Sequence, residues 1–348
     1  MTWIRKFVLV IAILWGFSAF SQDTSCLRRT VLVGVFDGGV PVTGLVAADF
    51  HAQYRGKTVQ IVSLLNDKQS HRILILLDAS GSMAGTFDEK WKGAVFVAEQ
   101  LAEANLPDTS LALYIFGEQA GEQIEFSADN RRVLDRLREI QSDKKYMKKH
   151  VAGQTPLRDT MLDSLKLFGS PRAGDEIFAI TDGMDNESRI RESALLHTLL
   201  ASDVRVFFGI VRDEKVEASA GMPFLEWFQN FAETTGGGVF VPFAGNRLPD
   251  AKTRMEEFSS EYPSKPGPTP HDIQLQMSGA LRPALITALN LDYSQMVHAF
   301  RLEISLPTAV TKPEQWKLSL SKDKSHQLKD ADILYPHELL PCAAASRN

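Results

Sequence analysis

Oxygen-bearing side chains at three separated places are the chemistry on offer in this sequence. Asp78-Ala79-Ser80-Gly81-Ser82 sets a carboxylate and two hydroxyls two residues apart. Gly153-Gln154-Thr155-Pro156 adds a third hydroxyl, and Thr181-Asp182-Gly183 a second carboxylate. Where an extended segment turns into a loop, residues two apart can point to one side, so Asp78, Ser80 and Ser82 can converge. Gly81 lets the turn tighten without a Cβ. Two carboxylates and three hydroxyls suit a hard cation such as Mg2+, and offer nothing to zinc or copper. A D-x-S-x-S string alone is a weak signal; its weight comes from the strand before it and from the Thr and Asp loops that follow in order.

The elements that must position these groups are legible between Arg72 and about Tyr262. Short, nearly continuous apolar runs occupy 72–78, 110–116, 176–181, 204–210 and 238–243. Such runs suit strands covered on both faces of a mostly parallel sheet. Helical stretches fall between them, at about 88–104, 130–141, 157–168, 189–201, 223–235 and 248–260. Val133, Leu134, Leu137 and Ile140, for example, recur at helical spacing. The alternation predicts an α/β domain with a doubly wound, mostly parallel sheet and helices on both faces. In such a sheet ligands bind at the carboxyl ends of the strands, where Asp78 and Asp182 stand and where the Thr155 loop returns.

With these landmarks in order (RILILLDASGSM, GQTPLRD, FAITDGMDNES and AETTGGGVF), residues 70–262 resemble the von Willebrand factor A (VWA) family. The resemblance implies a Rossmann-like fold and a metal-ion-dependent adhesion site with ligands Asp78, Ser80, Ser82, Thr155 and Asp182. The two Ser and the Thr bind the ion directly or through water, and the Asp residues act mainly through water. It implies Mg2+, or Mn2+ or Ca2+, as the ion. A cation held largely by neutral hydroxyls keeps much of its charge, so an open coordination position attracts a carboxylate from a protein partner. Coupling of ligand engagement to the last helix, about 248–260, belongs to the family and cannot be read from these residues. A looser resemblance links the flanks to bacterial exported VWA proteins, through the V-x-G-L-x-x-x-D-F stretch from Val42 to Phe50.

The flanks return to period-two patterning. Thr30–Phe36 ends at Asp37-Gly38-Gly39, and the pair 51–54 and 58–64 brackets Arg55-Gly56-Lys57, a hairpin signature. After a Pro-rich linker at 263–270, Phe300, Leu302, Ile304 and Leu306 alternate with polar residues, as do Trp316, Leu318 and Leu320. A β-rich segment at 22–68 and another at 271–342 are expected to meet in one small module, with the VWA domain inserted between them. Each alone has too few strands for a stable layer.

Residues 1–21 read as a signal peptide: Arg5 and Lys6, an apolar run from Phe7 to Phe20, then Ala19-Phe20-Ser21 before Gln22. The run falls short of the ~20 residues of a spanning helix. The expectation is a periplasmic or extracellular protein with no membrane insertion after cleavage; an uncleaved anchor is the alternative. The 348-residue chain has only two cysteines, Cys26 and Cys342. In an oxidising compartment they are expected to pair.

Net charge is −5, and nothing in that balance calls for nucleic acid. The eight histidines show no H-E-x-x-H pattern, and no G-x-S-x-G elbow accompanies Ser80 or Ser82. The leading expectation is therefore a non-enzymatic, metal-dependent protein-binding module without catalytic residues. A metal-independent envelope-assembly component is the second class, and a serine hydrolase the third. Asp185 and Asn186 read first as turn and capping residues, with support of the metal loop as the alternative. The basic run Lys144, Lys145, Lys148, Lys149 and His150 reads first as a solvated loop, with steering of an acidic ligand toward the metal as the alternative. Oligomeric state is left open.

Overall fold

The computed structural model describes residues 26–84, 89–117, 121–183, 185–211, 224–243 and 270–342. The signal segment 1–21, the expected helix at about 248–260 and all but Pro270 of the 263–270 linker lie outside the described residues. Four strands come first: β1 (Arg28–Asp37), β2 (Val40–Pro41), β3 (Phe50–Tyr54) and β4 (Lys57–Asn66). Six follow: β5 (His71–Asp78), β6 (Thr109–Phe116), β7 (Glu122–Ser127), β8 (Asp175–Thr181), β9 (Val204–Ile210) and β10 (Val239–Phe240). The last four are β11 (Phe300–Ser305), β12 (Glu314–Leu320), β13 (Ala331–Leu334) and β14 (Glu338–Leu339).

The central sheet has the order β10-β9-β8-β5-β6-β7. Its neighbours are parallel except β7, which runs antiparallel to β6 at the edge. Side chains alternate across β5 and both faces are covered. Ile73, Ile75 and Leu77 pack with the helices Glu89–Glu103, Arg131–Ser142 and Arg282–Val297. Leu74 and Leu76 pack with Leu157–Ser164, Glu192–Ala201 and Phe224–Thr235. Each fully buried Ile or Leu contributes about 1.5–3 kcal/mol, so β5 sits at the energetic centre of the domain. The strand expected at 238–243 shortens to β10.

A second, antiparallel sheet curls into a half-barrel. Its order is β13-β1-β11-β4-β3-β12-β14, with β2 on β1. Strands from the two ends of the chain interleave: β11 lies between β1 and β4, and β12 pairs with β3. The β3–β4 hairpin turns on Arg55 and Gly56, at φ 51° and 71°. Two successive left-handed residues match the twist of a tight hairpin. Inward-facing Tyr54, Leu302, Ile304 and Trp316 fill this sheet's own core.

The C-terminal flank departs from the expectation of β structure from residue 271. Pro270–Met277 and Arg282–Val297 are helices. Leu285, Leu289, Tyr293 and Met296 recur at spacings of four and three and are buried against the central sheet. The Tyr293 hydroxyl donates to the Val97 carbonyl (2.7 Å), and its ring meets Phe178 edge-on. The alternation that begins at Phe300 does not extend upstream, and this helix covers a sheet face that would otherwise be wet. The basic run is likewise helical, over Lys144–His150, with the Asp143 side chain accepting from the Lys145 N–H (2.8 Å). Buried Tyr146 anchors it by stacking on Trp91 and His150.

At the amino ends of the central strands, charge takes over from apolar packing. Arg72 donates two hydrogen bonds to Asp175 (2.7 and 2.6 Å). Arg205 bonds to Glu176 and to the Met296 carbonyl, with His71 Nδ1 3.5 Å from Glu176. A disulfide joins Cys26, just before β1, to Cys342, just after β14, with Cα atoms 5.6 Å apart.

Candidate functional site

Asp78 closes β5 at the carboxyl end of the sheet, fully buried. One of its carboxylate oxygens accepts the Ser80 N–H (2.8 Å) and the other the Thr181 hydroxyl (2.6 Å). Thr181 Oγ1 in turn accepts the Gly183 N–H (2.9 Å), which fixes the turn carrying Asp182. The Ser80 and Ser82 hydroxyl oxygens are 3.0 Å apart, and Ser82 donates to Asp182 Oδ1 (2.9 Å). Asp78, Ser80, Ser82 and Asp182 thus form one connected polar cluster.

Thr155 belongs to a third loop stitched to the other two through backbone. Ala152 N–H donates to the Ala79 carbonyl (3.0 Å) and Gly81 N–H to the Gly153 carbonyl (2.9 Å). On its other side the Thr155 N–H donates to Asn186 Oδ1 (3.0 Å) and the Asn186 N–H to the Thr155 carbonyl (3.3 Å). Thr155 is buried like the Asp78 side of the cluster. Close approach explains Gly81 better than flexibility does: a Cβ there would lie 3.1 Å from the Gly153 carbonyl oxygen. Asn186 therefore holds the Thr155 loop, while Asp185 pairs with Arg158 (2.8 Å) and accepts its N–H.

Burial, reinforced by the negative charge of Asp182, pushes the Asp78 carboxyl up to about 7. Two carboxylates crowded together make ionisation of the second costly.

One side chain of this cluster escaped the sequence reading. Lys90, on the helix Glu89–Glu103, donates to Asp182 Oδ2 (2.7 Å) and to the Ser82 carbonyl (2.9 Å), with both side chains buried. A signal existed: Lys90 heads the stripe Ala94, Val97 and Leu101, and a charge on a buried helix face calls for a partner. Among the described residues, no group of three or more His, Cys, Asp or Glu gathers as a metal site. Any ion at this end would have to use hydroxyls. His71 stands at the opposite end of β5 from Asp78.

A family model of the von Willebrand factor type A domain matches residues 73–184, a stretch that contains all five candidate ligands. Residues 73–184 are a VWA domain. Solved structures with partial likeness include an aerotolerance-related membrane protein from Bacteroides fragilis, carrying multiple mutations to serine (16% identity, TM-score 0.39, 55% of this chain and 98% of that one). Another is the conserved hypothetical protein BatB from Bacteroides thetaiotaomicron (14%, TM-score 0.38, 55% and 97%). A third is the vWF domain of the type V pilus tip protein Mfa5 from Porphyromonas gingivalis (14%, TM-score 0.29, 36% and 43%). A search of curated proteins finds no match. The VWA core brings the three loops together at one end of its sheet, and the strands from both flanks form a separate sheet beside it.

Proposed function

We propose that this chain is an exported, metal-ion-dependent protein-binding module, in which a divalent cation on the VWA domain takes a carboxylate from a partner protein. The observation that carries this reading is the connected cluster of Asp78, Ser80, Ser82 and Asp182 beside the Thr155 loop. The donor set fits a hard ion: every side-chain donor is oxygen, and Asp78 has only hydroxyl and amide donors around it. Asp78, Ser80, Ser82, Thr155 and Asp182 would hold Mg2+, or Mn2+ or Ca2+, and the bound ion would supply a positive site for an acidic side chain. Thr181 and the Ser80 amide orient Asp78, while Asn186 holds the Thr155 loop. The central strand order, with helices on both faces, supports reading the domain as doubly wound.

Export is part of the proposal and rests on residues 1–21. Among the described residues no helix is long and apolar enough to cross a membrane. Protein isolated from its native envelope or culture medium should begin at Gln22.

The deciding experiment is calorimetric titration of the purified chain with MgCl2 and MnCl2. One ion per chain is expected, with binding abolished in Asp182→Asn and in the Ser80→Ala/Ser82→Ala double variant. Absence of any saturable binding by the wild type would sink the metal site.

A further inference from the structure

Asp182 is already paired with a cation, supplied by the protein itself. Its Oδ2 accepts from the Lys90 ammonium at 2.7 Å and its Oδ1 from the Ser82 hydroxyl at 2.9 Å. The same ammonium reaches the Ser82 carbonyl at 2.9 Å. Lys90 thus engages two of the residues proposed to hold the divalent ion. Its side chain is 7% exposed and that of Asp182 3%, so water screens the pair weakly. We propose that the Lys90 ammonium is a resident counter-cation of this site, and that a divalent ion binds only by displacing it from Asp182. This inference rests on the metal-binding reading above and deepens it.

Charge and reach make the case. An ammonium and a divalent cation sharing one buried carboxylate would repel strongly at such distances. Lysine is suited to stepping aside: its ammonium is a compact, strongly hydrated charge on a four-carbon arm, able to exchange a protein acceptor for water. An arginine fork would be harder to release. Of the two acids, Asp182 has the cation in contact, while Asp78 has only hydroxyl and amide donors. With the ammonium in place the partner-binding end is neutralised and its donors are committed to one another. With the ion in place Lys90 is released toward solvent. The module would then engage acidic partners only where divalent ions are abundant enough to win the competition.

The test compares Mn2+ titrations of the wild type, Lys90→Met and Lys90→Arg by calorimetry. It is paired with amine labelling of Lys90 in the wild type, read by peptide mass spectrometry in EDTA and in saturating Mg2+. Lys90→Met keeps most of the arm's length and removes its charge. It should bind Mn2+ about tenfold or more tightly than the wild type, while Lys90→Arg binds no more tightly. Lys90 should be protected from labelling in EDTA and become reactive with Mg2+. If Lys90→Met does not fold, the wild-type labelling decides alone. Equal or weaker Mn2+ binding by a folded Lys90→Met overturns the displacement and leaves the metal site standing, as does protection of Lys90 unchanged by Mg2+ in a wild type that binds the ion. Failure of the wild type to bind Mn2+ overturns the metal site and this inference together.

Discussion

Replacing both cysteines with serine should cost more than any single buried contact in the molecule. The disulfide closes a loop of 316 positions, from just before β1 to just after β14. In the chain-entropy model a loop of that length contributes about 6 kcal/mol, through the freedom removed from the unfolded chain. That is comparable with the whole stability of many domains. The loss should fall first on the half-barrel sheet, because β1 and β11 pair across the whole stretch of chain that carries the central sheet. Without the bridge, their pairing must itself close the loop. Urea unfolding of the oxidised wild type and of the Cys26→Ser/Cys342→Ser variant, followed by tryptophan fluorescence, reads the effect. Trp316 reports on the half-barrel core, and Trp91 and Trp227 on the two faces of the VWA sheet. At a urea dependence of about 3 kcal/mol per molar, the midpoint should fall by about 2 M. The Trp316 signal should be lost before the others. Coincident midpoints for the two proteins would refute the reasoning. So would a native, non-reduced digest without a linked Cys26–Cys342 peptide.

Glu176→Gln should destabilise the fold by about 3 kcal/mol in thermal unfolding, because it leaves Arg205 as a buried cation without its counter-charge. The apolar pair Glu176→Leu/Arg205→Met should cost less than the single change, and the reverse order would show that the ion pair is not the cause. Burial holds the His337 imidazole below its usual 6.5, against the pull of nearby Glu233. A depressed value means stability present above pH 6.5 and lost as pH falls through the lower folded value. The wild type should therefore weaken on acidification below pH 6.5 while His337→Gln stays flatter. An NMR titration midpoint for His337 above 6.5 would contradict this.

What the sequence made legible was whatever repeats over a short window. Strand β9 coincides with the expected 204–210, because a strand buried on both faces is written as an unbroken apolar run. The Arg55-Gly56 hairpin was readable because left-handed turn residues are a local requirement. The candidate site was readable because its groups stand at strand ends, so strand placement alone brings Asp78 and Asp182 to one edge. Less legible was anything decided at long range. Strand β7 is a half-exposed edge whose alternation is brief. The helix Arg282–Val297 is apolar in places all round, since it is pressed against the sheet and the neighbouring helices, and that blurred its period beside the β patterning downstream. Lys144–His150 looks like a charged loop until Tyr146 finds Trp91. The Lys90 partnership crosses 92 positions to Asp182, and no spacing rule within a loop can reveal it.

The two ends of the central sheet are built from opposite economies of charge. At the amino ends, Arg72–Asp175 and Arg205–Glu176 pair strong charges in fixed geometry, and Arg205 also binds the carbonyl of Met296, at the end of the helix that leads into β11. At the carboxyl ends, hydroxyls and amides bond to one another around two carboxylates, and the nearest full positive charge rides on a flexible arm. A groove lined by Thr30, Val31 and Leu32 from β1 with Val204, Arg205 and Arg301 places the half-barrel sheet against the amino ends. Strand β5 has eight residues, so about 26 Å separate that junction from the Asp78 loop. The fixed ion pairs and the polar cluster around Asp78, Ser82 and Asp182 thus stand at opposite ends of the same strands, so a change of charge at one end acts on groups that the other end does not share.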